Sequence, residues 1–99
     1  MASELRFEWD PNKNATNIQR HKISFDEATS TFLDENGLLI GDPDHSDEED
    51  RFVLLGLSST LRLLLVCHCY KADGGLIRII SARKADRQER ELYVRRIRS

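Results

Sequence analysis

The chain has 99 residues, 39% apolar and 32% charged, with a net charge of −2 and two cysteines. That composition fits one small globular domain with a modest core spanning residues 1–99. No apolar run approaches the ~20 residues that a membrane span needs. Met1-Ala2-Ser3-Glu4 lacks the basic and apolar regions of a secretory signal, so a cytoplasmic protein with no membrane partner is expected.

Leu5-Arg6-Phe7-Glu8-Trp9 alternates apolar and charged residues, the pattern of a short strand. Asp10-Pro11 then supplies an N-cap and a proline at the first helical position, and the helix is predicted to run to about Lys22. Its apolar face is thin (Ala15, Ile18 and the stem of Lys22), so it should lie on the surface. Ser24 and Glu27 form a capping box, and Phe25, Ala28, Thr29 and Phe32 make an amphipathic stripe that Asn36-Gly37 ends. Leu38-Leu39-Ile40 is a short strand.

Residues 42–50 hold six acids and a proline, which reads as a solvated loop without the glycine punctuation of a calcium site. Three strands follow, over Arg51–Ser58, Leu61–Lys71 and Leu76–Ala82, the last two joined through Asp73-Gly74-Gly75. Short links make these three antiparallel. The middle strand is apolar on both faces and should be the central one. A final helix is predicted from about Lys84 to Ile97. The order is β-α-α-β-β-β-β-α, an α+β fold with helices packed on an antiparallel sheet.

Cys67 and Cys69 lie two apart in a strand, roughly 6.5–7 Å at Cα, at the limit of disulfide geometry, and read as free thiols. His68 between them points the other way, so the three make no metal motif and His68 reads as a core residue. No metal site and no cofactor are expected.

Charge is segregated. Residues 1–75 carry seven Lys and Arg against fourteen Asp and Glu, whereas residues 76–99 carry eight against three. The basic end centres on Arg78-Ile79-Ile80-Ser81-Ala82-Arg83-Lys84-Ala85, an apolar strand ringed by cations. Such a cluster suits a phosphodiester, because the guanidinium fork meets two phosphate oxygens together. RNA carries its own nucleophile, the 2′-hydroxyl. A protein that cuts it must supply a base, a proton donor and cations for the charge that builds on phosphorus. Strand alternation places Arg78 and Arg83 on opposite faces, and they converge only if the chain turns at Ser81-Ala82. Arg51, directly after Glu48-Glu49-Asp50, pairs a clamp with an acid, although an exposed ion pair of little consequence has the same spacing. His21 in Arg20-His21-Lys22 has the chemistry of an acid–base group and equally that of an idle surface histidine. Trp9 and Tyr93 are aromatics in polar settings, suited to stacking on a base or to the rim of a core.

Four segments together resemble the BrnT toxin family. They are Phe7-Glu8-Trp9-Asp10-Pro11-Asn12-Lys13, Asn17 through His21-Lys22-Ile23-Ser24-Phe25-Asp26-Glu27-Ala28, Glu49-Asp50-Arg51-Phe52 through Gly56, and Arg78 through Ala85 with Glu89 and Tyr93. The resemblance implies a RelE-like fold and a metal-independent ribonuclease toxin of a type II toxin–antitoxin pair that inhibits translation. It also implies a BrnA-like ribbon-helix-helix antitoxin, assembly of two toxins with two antitoxins, and contact with DNA only through that partner. Carried over to this chain, the polar positions are His21, Lys22, Glu49, Arg51, Arg78, Arg83 and Tyr93. Relatives place an arginine near the end of the central strand, where this chain has Tyr70-Lys71 and so keeps the charge without the fork. Arg78 and Arg83 are expected to hold phosphate, with Arg51 as a further clamp. Glu49 or His21 is the base and Tyr93 a proton donor or stacking residue, while Lys22, Lys71, Lys84 and Arg87 are RNA contacts. The rival expectation is a non-catalytic module that acts as co-repressor with its antitoxin. A DNA binder in its own right is disfavoured, because no helix-turn-helix or basic zipper pattern is visible.

Overall fold

The computed structural model describes residues 5–41, 51–71 and 75–99. Along the chain run β1 (Arg6–Glu8), α1 (Pro11–His21), α2 (Phe25–Ser30) with a single 3-10 turn over Thr31–Leu33, β2 (Leu38–Gly41), β3 (Arg51–Leu57), β4 (Leu63–Lys71), β5 (Leu76–Lys84) and α3 (Arg87–Arg98). The expected class and element order hold. The acidic stretch, with Glu49 and His45, and most of the link between β4 and β5 lie outside the described residues.

Helix starts follow their caps. Asp10 accepts from the Asn12 amide at 2.8 Å and Ser24 from the Glu27 amide at 3.0 Å. α1 ends as Lys22 turns left-handed at φ 60°. The third helix begins three residues later than predicted. β5 runs on through Lys84, and Ala85 still donates to the Leu63 carbonyl at 2.9 Å. Only then do Asp86 and Glu89 close a reciprocal capping box at 2.8 Å each way. That D-x-x-E spacing is plain in the sequence; the strand pattern ahead of it runs longer than the apolar residues suggest.

The sheet order is β1-β5-β4-β3-β2, with β4 at the centre as expected. It is mixed rather than antiparallel throughout. The β2–β3, β3–β4 and β4–β5 pairs are antiparallel, but β1 lies parallel to β5 at the edge. The short-link argument covers only consecutive strands. Nearly the whole domain separates β1 from β5, ample length for a parallel return.

One face of the sheet is closed. Ile23, Phe25 and Ala28 from the α1–α2 junction and α2 pack on Leu64, Val66, Ile77, Ile79 and Ala82, with Phe7, Trp9, Phe32 and Tyr70 around them. His68 is fully buried on this face among Phe32, Phe52 and Tyr70. α1 does not dock through its apolar residues. Ile18 stays exposed, and the buried residue is Asn17. Its side-chain amide donates to the carbonyls of Ile23 (2.9 Å) and Ala82 (2.8 Å), and its oxygen accepts from the Ala82 amide (3.1 Å). Asn17 thus pairs with the edge of β5 as a neighbouring strand would, beyond the point where β1 stops.

α3 closes only part of the other face, where Ala85 and Tyr93 pack with Leu55 and Leu63, flanked by Leu38, Leu57 and Leu65. No other helix among the described residues covers the rest of this second face.

Candidate nucleic-acid interface

The face of the sheet that α3 partly covers holds most of the predicted cations. Arg51 on β3, Cys69 on β4, Arg78 on β5 and Glu8 on β1 occupy one register row across four strands. The row above runs Val53, Cys67, Ser81, and the next holds Leu55, Leu65 and Arg83. Lys71 lies at the lower end, opposite Leu76. Arg78 and Arg83 therefore share a face, against the expectation from simple alternation. The chain does not turn at Ser81-Ala82. Instead β5 bulges: Cys67 pairs with Ser81 and His68 with Ile79, so Ile80 is an extra residue that shifts the parity of all that follows. The partners of the two arginines, Leu65 and Cys69, lie four positions apart on β4, about 13 Å along the strand, two phosphate steps of an extended polynucleotide rather than one bidentate site.

Both arginines are held by carboxylates. Arg78 Nη1 donates to Glu8 Oε2 at 2.9 Å. Arg83 makes a fork to Glu89, at 2.8 and 2.9 Å, and also donates to the Lys84 carbonyl at 3.2 Å. The Arg83 guanidinium holds the Glu89 carboxyl below its ordinary value despite burial. These pairs orient the guanidinium groups while leaving them accessible: the side chains of Arg78 and Arg83 are 34% and 42% exposed. Glu8 is the carboxylate that sequence reasoning passed over. The alternation of Arg6 and Glu8 against Phe7 and Trp9 already placed it on the polar side of an edge strand.

A cleft of about 300 Å³ opens at the bulge. Ile80 and Ser81 form its β5 wall, and Lys13, Thr16, Arg20 and His21 face them from α1. His21 is thus placed beside β5, and no carboxylate among the described residues lines the cleft.

Other predicted residues lie elsewhere. Tyr93 is buried under α3, and its hydroxyl donates to Asp34 Oδ2 at 2.5 Å. Burial and that bond push the phenol up to about 12. Burial also raises the Asp34 carboxyl, but hydrogen bonds from Tyr93, the Leu57 amide and the Asn36 amide outweigh it and leave the group below its ordinary value. A tied, buried phenol of this kind neither donates to a leaving group nor stacks on a base; Tyr93 positions α3. Because β5 continues through Lys84, alternation turns that lysine away from Arg83, and it lines a small separate cleft with Arg62 and Arg90. Arg87 is exposed on the first turn of α3, 3.8 Å from Glu91. Lys22 is the exposed cap of α1. Trp9 packs edge-on to Phe25 in the closed core. Cys67 and Cys69 are thiols rather than disulfide-bonded.

No helix among the described residues is long and apolar enough to cross a membrane. No curated protein sequence matches the chain. The crystal structure of the Brucella abortus ribonuclease toxin BrnT superimposes with a TM-score of 0.65 at 23% identity, covering 84% of this chain and 99% of that one. The two share a fold. A family model described as the ribonuclease toxin BrnT of type II toxin–antitoxin systems matches residues 9–89, most of the chain. The chain belongs to the BrnT family of ribonuclease toxins, whose members act within type II toxin–antitoxin pairs.

Proposed function

We propose that the chain cuts RNA without a metal ion and blocks translation, and that RNA lies across the open face of the sheet. The supporting observation is the alignment there: Arg51 and Arg78 share one row, and the bulge at Ile80 brings Arg83 to the same side. Phosphates two steps apart displace Glu8 and Glu89 from Arg78 and Arg83, with Arg51 as a further clamp. Lys71 and Lys22 are outer contacts, and Arg87 and Lys84 serve only RNA that runs past the ends of the sheet. Glu49 or His21 is the base. It removes the 2′-hydroxyl proton, the 2′ oxygen attacks phosphorus, the bond to the 5′ oxygen breaks, and a proton from the protonated base or from water goes to that oxygen. The products are a 2′,3′-cyclic phosphate and a 5′-hydroxyl end.

The partner in this reading is a BrnA-like ribbon-helix-helix antitoxin, in a heterotetramer of two toxins and two antitoxins that reaches DNA only through the antitoxin. The place of action is the cytoplasm.

Purified protein, treated with EDTA and incubated with total RNA, tests the activity. Cleavage should persist with EDTA and leave cyclic phosphate ends. Arg83→Ala should slow it by about 100-fold or more, as loss of a transition-state cation does. Arg83→Lys should recover only part, since it keeps charge without the fork. Neither variant should lose more than about 1 kcal/mol of stability, because the Arg83 side chain is 42% exposed. A second reading is favoured by one specific observation, that both key arginines already have carboxylate partners. The chain would then be an inert co-repressor held by its antitoxin. Wild type that leaves RNA intact, with EDTA or with added Mg²⁺, establishes that reading instead.

A further inference from the structure

The cations of the open face and those of the cleft differ in one respect. Arg78 and Arg83 are neutralised by Glu8 and Glu89. Lys13 and Arg20, in the cleft, make no ion pair among the described residues, and the cleft wall holds no carboxylate. Their spacing explains the arrangement. Residues 13, 16, 17 and 20 fall on one side of α1. Asn17 pins that side to Ala82 of β5, and its neighbours must then border the cleft. Two uncompensated cations, a histidine and two hydroxyls around about 300 Å³ make a site for an anion of nucleotide size.

The cleft also adjoins the proposed RNA path. Ser81 belongs to both: it pairs with Cys67 in the open-face rows, and it forms the β5 wall of the cleft. β1 pairs with β5 only as far as Arg78, so no strand stands between the two at Ser81. That continuity singles out RNA as the occupant over an acidic protein segment.

We propose that the cleft between α1 and β5 is a second RNA subsite, where Lys13 and Arg20 hold the phosphate of a nucleotide flanking those over Arg78 and Arg83. This rests on the ribonuclease reading and extends it. The substrate is a single strand of several nucleotides that bends over the edge of β5 at Ser81, passing His21 as it does so.

The test is fluorescence anisotropy with labelled 2′-O-methyl RNA, whose blocked 2′ oxygen cannot attack. Wild type should bind a hexamer well above a dimer. The double variant Lys13→Gln/Arg20→Gln should lose about tenfold or more of the hexamer affinity at moderate salt. Its log–log salt slope should become shallower by about 0.7, the release expected when one phosphate of a single strand is no longer neutralised. Arg98→Gln, on α3, serves as the surface-charge control and should match wild type. The exposed positions of Lys13 and Arg20 should keep the thermal melts of the double variant and wild type together. Wild type that binds and cuts RNA beside a double variant with unchanged affinity and slope overturns the subsite alone, and gives the cleft to another occupant such as an acidic peptide. Wild type that binds no RNA overturns both.

Discussion

Two arginine–carboxylate pairs, one on each side of the sheet, show how differently the same chemistry works. On the closed side Glu27 accepts from Arg62 through both its oxygens and also from the hydroxyls of Ser58 (2.7 Å) and Thr60 (2.6 Å). Arg62 further donates to the Lys22 carbonyl at 3.1 Å. The cluster ties the start of α2 and the end of α1 to the turn between β3 and β4. Glu27 is 13% exposed. On the open side Glu8 meets Arg78 through one hydrogen bond, with both side chains more than a third exposed. The first pair cannot be exchanged for an incoming anion without loosening the fold. The second can, and it leaves a directed guanidinium behind. The closed face holds the more tightly bound of these two pairs, and the proposed function places recognition on the Arg78 row of the other face.

The sharpest way to break the closed face is through its polar anchor. Asn17→Ala removes three hydrogen bonds and leaves the Ala82 amide and carbonyl and the Ile23 carbonyl without those partners in a buried setting. The expected cost is about 3 kcal/mol, or roughly 15 °C in the melt of a domain this size. Arg78→Ala, on the open face, should shift the melt by a fraction of that. Equal effects of the two would erase the distinction between the faces.

The Glu27 cluster comes next, and pH resolves it. The Arg62 hydrogen bonds, with help from Thr60 and Ser58 and against burial, lower the Glu27 carboxyl from 4.5 to about 2. A depressed folded value means the unfolded chain takes up the proton first as pH falls. The stabilisation is therefore complete above about 4.5 and disappears as pH drops through about 2. With an allowance for solvent screening it amounts to about 2 kcal/mol. Denaturant melts of wild type and Glu27→Gln should differ most near pH 6 and converge near pH 2. A constant gap would mean that the carboxylate's charge contributes nothing.

His68 gives a smaller effect in the same direction, by another route. Its ring is fully buried, Nδ1 lies 3.1 Å from the Val66 carbonyl, and Nε2 has no partner among the described residues. Phe32 and Phe52 are uncharged, and Tyr70, whose phenol burial pushes up, is neutral in this range. Burial lowers the imidazole from its ordinary 6.5, so the fold keeps it neutral. The unfolded chain binds a proton below about 6.5 that the folded chain refuses, and stability should fall by about 1 kcal/mol for the first pH unit beneath it. His68→Leu, which also removes the orphan nitrogen, should flatten this limb in melts from pH 7 to 5.5. An unaltered pH profile in that variant would place the titration elsewhere.

Much of this division was legible in the residues. The apolar run of β4 announced the central strand, and Ser24 with Glu27 announced the start of α2. The segregation of charge pointed to β5 and α3 as the basic end of the chain. Three features were not legible, each for a physical reason. A bulge is an agreement between two strands: nothing in Arg78 through Ala85 alone says that Ile80 goes unpaired, and that single extra residue decides which face Arg83 occupies. Periodicity counts apolar residues, so it read α1 as a loosely held surface helix and passed over Asn17, whose value lies in backbone groups of a strand 65 residues away. Tyr93 sits among polar neighbours in sequence, yet its partner Asp34 arrives from the far end of α2's turn, and only the folded chain turns a candidate proton donor into a strut.

The smallest prediction concerns the turn that the Glu27 cluster grips. Leu61 is held left-handed at φ 65° and is 77% exposed, while its amide bonds the Ser58 carbonyl at 2.9 Å. A leucine there bears steric cost in the backbone and buries little of its side chain in return. Asparagine visits this region far more readily and puts no apolar surface in water, so Leu61→Asn should stabilise the domain by about 0.5 kcal/mol. The variant also sharpens the comparison between the faces. Its gain should vanish when Glu27→Gln is added, if the cluster forces the turn's shape, and persist if the left-handed residue is set by the β3–β4 register alone. A double-mutant cycle in denaturant separates the two, because coupling of about 0.5 kcal/mol is what contacts within one network show and distant sites do not.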